Sequence, residues 1–106
     1  MAAEETVGVV QGLTVELEVY VSGYPTPVGS GITWQRPDQS VIMDTDEGVV
    51  FQDGRRRMIL SNVQPEQAGL YTCIVVVSIS PYLGATTGIQ LDVYGKYVVH
   101  NEMHTI

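Results

Sequence analysis

Apolar and polar residues alternate along much of this chain with a period of two. Leu13, Val15, Leu17, Val19 and Val21 alternate with Thr14, Glu16, Glu18 and Tyr20. Successive side chains of a strand point to opposite faces, so the first set should enter a core and the second should face away. Residues 7–10 read as an edge strand, and Ile32-Thr33-Trp34-Gln35-Arg36 as the strand after a Gly/Pro-rich loop at 23–31. A short strand is expected at 40–43, after Pro37-Asp38 and before the acidic turn Asp44-Thr45-Asp46-Glu47-Gly48. Residues 49–52 and 56–61 should form a hairpin about Asp53-Gly54, a tight-turn dipeptide. A turn at Pro65-Glu66-Gln67-Ala68-Gly69 leads into the long β-branched run 70–78. Ser80-Pro81-Tyr82-Leu83-Gly84 reads as a hairpin loop and 86–94 as the last strand. About eight short strands spaced about ten residues apart, with no amphipathic helix, predict an all-β sandwich or barrel.

The 106 residues suit one domain, expected at 1–95, with 96–106 as a C-terminal linker or tail. Apolar residues at 44% suffice for one core. The net charge of −7 disfavours nucleic acid and anionic membrane surfaces, which require a basic footprint. No apolar run reaches the length of about 18 residues that spans a bilayer, so no direct membrane insertion is expected. The start, Met1-Ala2-Ala3-Glu4-Glu5, lacks the basic and apolar regions of a signal peptide, and the chain reads as one module of a larger protein. With Cys73 as the one cysteine, no disulfide can form within the chain, and composition leaves the compartment open.

The segment Met58-Ile59-Leu60-Ser61-Asn62-Val63-Gln64-Pro65-Glu66-Gln67-Ala68-Gly69-Leu70-Tyr71-Thr72-Cys73 resembles the E-to-F region of an immunoglobulin domain. Tyr71 stands two residues before Cys73, as a tyrosine corner requires. Trp34 is placed as the core tryptophan of strand C, and residues 19–27 resemble the end of strand B and its loop. The short stretch between Trp34 and Glu66 suits the I-set better than the V-set. The resemblance implies an immunoglobulin-like Greek-key β-sandwich of two antiparallel sheets, with Val19, Trp34, Leu60, Tyr71 and Cys73, joined by Leu17, in the structural core. Two departures stand out. Val19 occupies the place of the family's first cysteine, so the inter-sheet disulfide is absent; such a bond is typically worth about 2–5 kcal/mol. Gln67 replaces the usual acid and should hydrogen-bond instead or be exposed.

Candidate chemistry is sparse. Cys73 reads as a buried thiol packed on Trp34 rather than a reactive one. His100 and His104 have i, i+4 spacing but sit in the tail without further ligands, so no metal is assigned. Arg55-Arg56-Arg57 could meet an acidic partner, but beside Asp53 it reads as a solvated hairpin. No nucleophile–base arrangement and no phosphate-cradling glycine loop can be assembled, so the chain is expected to be no enzyme and to need no cofactor.

The run 70–78 is more informative. If Tyr71, Cys73, Val75 and Val77 face the core, Leu70, Thr72, Ile74 and Val76 face outward. Three apolar residues of four is unusual for a free sheet surface. Either a loop or the tail covers them, or they form a protein-binding face. Strands C, F and G share a sheet in this family, so Gln35, Thr33, Gln90, Asp92, Tyr82 and Leu83 would border the patch. The expected partner is a protein, including another copy of the same domain. The resemblance implies a recognition module of a cell-surface adhesion molecule or receptor, on the extracellular face of the membrane. The alternative is a structural module of a muscle or cytoskeletal protein in the cytoplasm, which needs no disulfide.

Overall fold

A computed structural model describes residues 5–22, 31–79 and 81–95. The glycine- and proline-rich loop at 23–30, Ser80 and the tail 96–106, including His100 and His104, lie outside the described residues. Seven strands follow one another: β1 Glu5–Val10, β2 Val15–Glu18, β3 Ile32–Gln35, β4 Val49–Gln52, β5 Arg57–Leu60, β6 Gly69–Ile79 and β7 Tyr82–Tyr94. They form two sheets, ordered β1-β7-β6-β3 and β2-β5-β4. Neighbours pair antiparallel except at one edge, where β1 runs parallel to β7, with Glu5 opposite Ile89 and Val10 opposite Tyr94.

Period-two alternation supplies the inner faces. Val15 and Leu17 from β2, with Val19 just after it, meet Met58 and Leu60 from β5 on one sheet. Ile32, Trp34, Tyr71, Cys73, Val75, Ile89 and Leu91 come from the other. These residues, with Val9, Ile42 and Val63, form one buried cluster. Two aromatic polar groups inside it find acceptors, as burial demands. The Trp34 indole Nε1 donates to the Arg55 carbonyl at 2.7 Å, tying the core to the β4–β5 loop. The Tyr71 hydroxyl donates to the Gln67 carbonyl at 2.6 Å, which closes the corner before β6. Gln67 in turn accepts the Gln64 backbone N–H at 2.7 Å and caps the 3-10 turn Pro65–Gln67.

Four local expectations are corrected. Residues 40–43 form no strand; one bridge joins Gln35 and Val41. The Asp38 carboxylate accepts the Ser40 backbone N–H at 2.9 Å, and the Asp46 carboxylate accepts that of Met43 at 2.9 Å. Such bonds compete with a ladder. Leu13 is 57% exposed rather than inward, because residues 11–13 are the turn that carries the chain from one sheet to the other. The β4–β5 connection is one residue longer than expected: Gln52 pairs with Arg57, so β5 starts at 57 rather than 56 and a four-residue loop is left. Asp53, Gly54 and Arg55 all adopt positive φ there, and Arg55 stacks its guanidinium 5.1 Å from the Phe51 ring centroid. Finally, β7 begins at Tyr82, paired with Ile79, so the β6–β7 tip is tighter than expected. Gly84 permits this, because a Cβ there would lie 2.4 Å from the Val75 carbonyl oxygen.

Trp34→Ala should lower unfolding free energy by about 3–5 kcal/mol in urea titration, the usual cost of truncating a large buried aromatic. Trp34→Phe should cost less. A loss under about 1 kcal/mol for the alanine variant would contradict this account of the core.

Candidate protein-binding face

β6 runs through the middle of the four-stranded sheet, so its outward side chains have neighbours on both sides. Leu70 lies opposite Gln90, Thr72 opposite Gly88, Ile74 opposite Thr86 and Val76 opposite Gly84 on β7. On the other side Thr33 faces Ile74 and Gln35 faces Thr72 on β3. Leu70, Ile74 and Val76 are half-buried, as are Gln35 and Gln90, while Tyr82 and Leu83 are exposed. The face thus brings together Leu70, Ile74, Val76, Gln35, Gln90 and Tyr82. Leu83 follows Tyr82 directly and by strand alternation points to the other side of the hairpin.

The bridge between Gln35 and Val41 adds Val41 to this side of the sheet, 47% exposed. Sequence reasoning missed it, because its side depends on a one-residue bridge that no alternation signals. Two tyrosines at the ends of β7 complete the face. Each covers a glycine: a Cβ on Gly8 would lie 2.7 Å from Tyr94 Cε2, and one on Gly84 would lie 2.8 Å from the Tyr82 hydroxyl. Tyr94 shares the parity of Gln90 and Asp92, so alternation alone could have placed it there.

The two sheet surfaces differ in the number of ionic groups they carry, not in net charge. Outward positions of β1, β7, β6 and β3 are Thr, Gly, Val, Leu, Ile, Gln and Tyr, with Asp92 as the single ionisable carboxylate among them. Its Oδ1 accepts the Gln90 amide at 3.3 Å. The outward side of the other sheet instead carries Glu16, Glu18 and Arg57. Arg57 bridges both glutamates, reaching Glu18 at 2.9 Å, and this hydrogen bond holds the Glu18 carboxyl below its ordinary pKa. Arg36 pairs with Asp46 at 2.6 Å and lowers that carboxyl likewise.

The remaining candidates behave as structural groups. Cys73 is fully buried opposite Trp34, and burial pushes its thiol up to about 12. A thiol so held is no nucleophile at neutral pH. Val19 and Cys73 belong to the same buried cluster and line one cleft of about 270 Å³. In the arginine cluster, Arg55 stacks on Phe51 and Arg57 is paired with glutamates, which fits a solvated hairpin.

Comparison with known proteins matches this architecture. A family model, the immunoglobulin I-set domain, matches residues 2–93. Vascular endothelial growth factor receptor 2 of Rattus norvegicus is 39% identical over 62 residues, covering 58% of this chain and 4% of that protein. Hemicentin-2 of Mus musculus is 43% identical over 70 residues, 66% of this chain and 1% of its own length. The chain therefore spans a small part of the curated relatives it matches. Among solved structures, a titin–obscurin-like 1 immunoglobulin complex superposes with a TM-score of 0.71 at 25% identity, covering 89% of this chain and 90% of that one. The first immunoglobulin domain of mouse SynCAM 2 gives 0.71 at 22% identity, covering 88% and 94%.

Thiol reagents should label Cys73 slowly in the native domain and quickly in denaturant, and reducing agent should leave the melting temperature unchanged. Fast native labelling in an Ellman assay would show that the thiol is accessible after all.

Proposed function

The chain belongs to the immunoglobulin I-set family, and from that premise we propose that it is a non-catalytic protein-recognition domain of a cell-surface adhesion molecule or receptor. It binds through the face of β3, β6 and β7. The observation that carries this reading is the row Leu70, Ile74 and Val76 along the centre of a sheet surface, bordered by hydroxyl and amide side chains. A central apolar row with a polar border is the usual anatomy of a protein interface. Relatives named as receptors support a place on the outer side of the membrane. No helix among the described residues is long and apolar enough to cross a membrane.

The intracellular structural reading draws on one specific observation. The two sheets are held without a disulfide, which suits a reducing compartment, and titin domains share the fold. Surface biotinylation of the full-length parent protein in intact cells separates the two. Labelling is expected; protection from the reagent would favour the intracellular module.

The binding face is tested by displaying the 106-residue chain on cells through an unrelated membrane anchor. Displaying cells should adhere to one another or to unmodified animal cells. Ile74→Glu should reduce that adhesion at least about tenfold, as a charge placed in a dry interface centre does. Val50→Glu, on the exposed side of the other sheet, should leave it unchanged. Equal adhesion by wild type and Ile74→Glu would remove this face from the function.

A further inference from the structure

We propose that the groove between β1 and β2 receives an extended segment of another protein, basic on one side and apolar on the other, added as a strand along the free edge of β2. This surface is separate from the face of β3, β6 and β7, and the proposal stands independently of it.

Topology opens the groove. β1 ends one sheet and β2 ends the other, and among the described residues neither strand has a neighbour on its outer side. Packed sheets stand about 10 Å apart, twice the strand spacing of about 4.8 Å, so one added strand fits between the two edges. Three adjoining clefts of about 360, 260 and 270 Å³ lie along them. The first two share Glu5, Glu18 and Tyr20, and the last two share Val19, Tyr20 and Thr87. From Glu16 to Ser22 the groove spans about 20 Å at about 3.3 Å per residue, room for about seven extended residues.

Backbone and side chains define the occupant. The Val19 N–H donates to the Arg56 carbonyl at 2.9 Å, toward β5. Strand alternation therefore turns the backbone groups of Glu16, Glu18 and Tyr20 to the free edge, and such an edge is a template for a further strand. Side chains of an added strand alternate between two environments. One set meets Val7, Val19 and Ile89, which are buried or half-buried. The other meets a rim of Glu5, Glu16 and Glu18, and no lysine or arginine lines the three clefts. Arg57 offsets one of these three carboxylates, which leaves the rim at about −2. The Tyr20 hydroxyl reports the same field: bonded to Glu18 at 3.0 Å and near the charge of Glu5, it holds its proton above the ordinary tyrosine range. A segment that alternates apolar residues with lysine or arginine matches both environments.

This chain does not supply such a segment. Its five lysine and arginine residues are Arg36, Arg55, Arg56, Arg57 and Lys96. Arg36 is paired with Asp46, and Arg55 to Arg57 belong to the β4–β5 loop and β5. Residues 96–106 set Lys96 against Glu102, and residues 1–4 hold Glu4 and no base. Pairing β2 with the β2 of a copy would place carboxylates opposite carboxylates, which is destabilising. The occupant is therefore a segment of a different protein.

A synthetic seven-residue peptide of alternating lysine and valine, blocked at both ends, tests this on the 106-residue chain by calorimetry and amide hydrogen exchange. In the chain alone the amides of Glu16 and Glu18 should exchange as fast as exposed ones. Saturating peptide should slow them at least about tenfold, while amides on the free edge of β4 change less than about twofold. Of the two peptides methylated on alternate nitrogens, at least one should bind at least about tenfold more weakly, and glutamate in place of lysine should abolish binding. The double variant Glu5→Gln, Glu16→Gln alters two exposed side chains and should weaken binding at least about threefold at low salt. Slow exchange of Glu16 and Glu18 without peptide would show the edge already covered by the chain or by a copy, and overturns the proposal. So does the absence of binding at about millimolar peptide, binding that leaves these amides unchanged, or equal binding of the glutamate peptide. The adhesion test reads Ile74 and this one reads Glu16 and Glu18, so failure of either leaves the other standing.

Discussion

The two sheets are joined by packing across Trp34 and Cys73, with no covalent bond between them. These residues sit opposite one another on β3 and β6, and Val19 belongs to the same buried cluster. Apolar burial is non-directional and could by itself tolerate slippage. Direction comes from two hydrogen bonds made by aromatic side chains. Trp34 fixes the β4–β5 loop through the Arg55 carbonyl, and Tyr71 fixes the turn before β6 through that of Gln67. Each links a core residue to a turn that sets the register of a strand. The sandwich thus replaces one covalent link with a buried row and two polar tethers.

That register determines the outer surface as well. A shift of one residue in β6 would exchange Tyr71, Cys73 and Val75 for Leu70, Thr72, Ile74 and Val76. Both rows contain enough apolar residues to be buried, so alternation alone specifies β6 weakly. The tyrosine corner resolves the ambiguity, because only one register lets the Tyr71 hydroxyl reach the Gln67 carbonyl. The apolar outer row is compatible with a unique fold only because the inner row carries this polar anchor. Tyr82 and Tyr94 then bracket the face by lying over glycines, which brings two large aromatic rings close to the backbone without lengthening the loops.

Legibility of the sequence divides along the same line. Strands with strict alternation, such as β2 and β3, were readable because the period itself states which side is buried. The corner motif placed Tyr71 and Cys73, and Val19 at the position of the family's first cysteine marks an unbridged sandwich. Misreadings arose where side chains compete with the ladder. Asp38 and Asp46 capture backbone N–H groups and dissolve the strand expected at 40–43, yet Ile42 stays in the core through one bond to the Trp34 carbonyl. Asp53-Gly54 signalled a tight hairpin, and the loop is one residue longer than expected, with its Arg55 carbonyl accepting the Trp34 indole N–H. The parallel pairing of β1 with β7 left no local trace, since parallel partners lie far apart in sequence. The centre of the face was legible from parity, whereas Val41 was not, because its placement is a tertiary event.

The distribution of charge is the last constraint, and it is independent of the core. Nothing in sandwich packing requires one outer surface to be rich in ionic groups and the other poor in them; both are outward and both are wet. Solubility is served by carboxylates anywhere on the surface. Here they gather on the β2 surface and along the 38–47 segment, while the wider sheet presents hydroxyls and amides. Such groups contribute less to solubility than ions do, and beside an apolar row they are cheaply desolvated. A surface with an apolar row and few ions to desolvate has the physical properties of a contact surface.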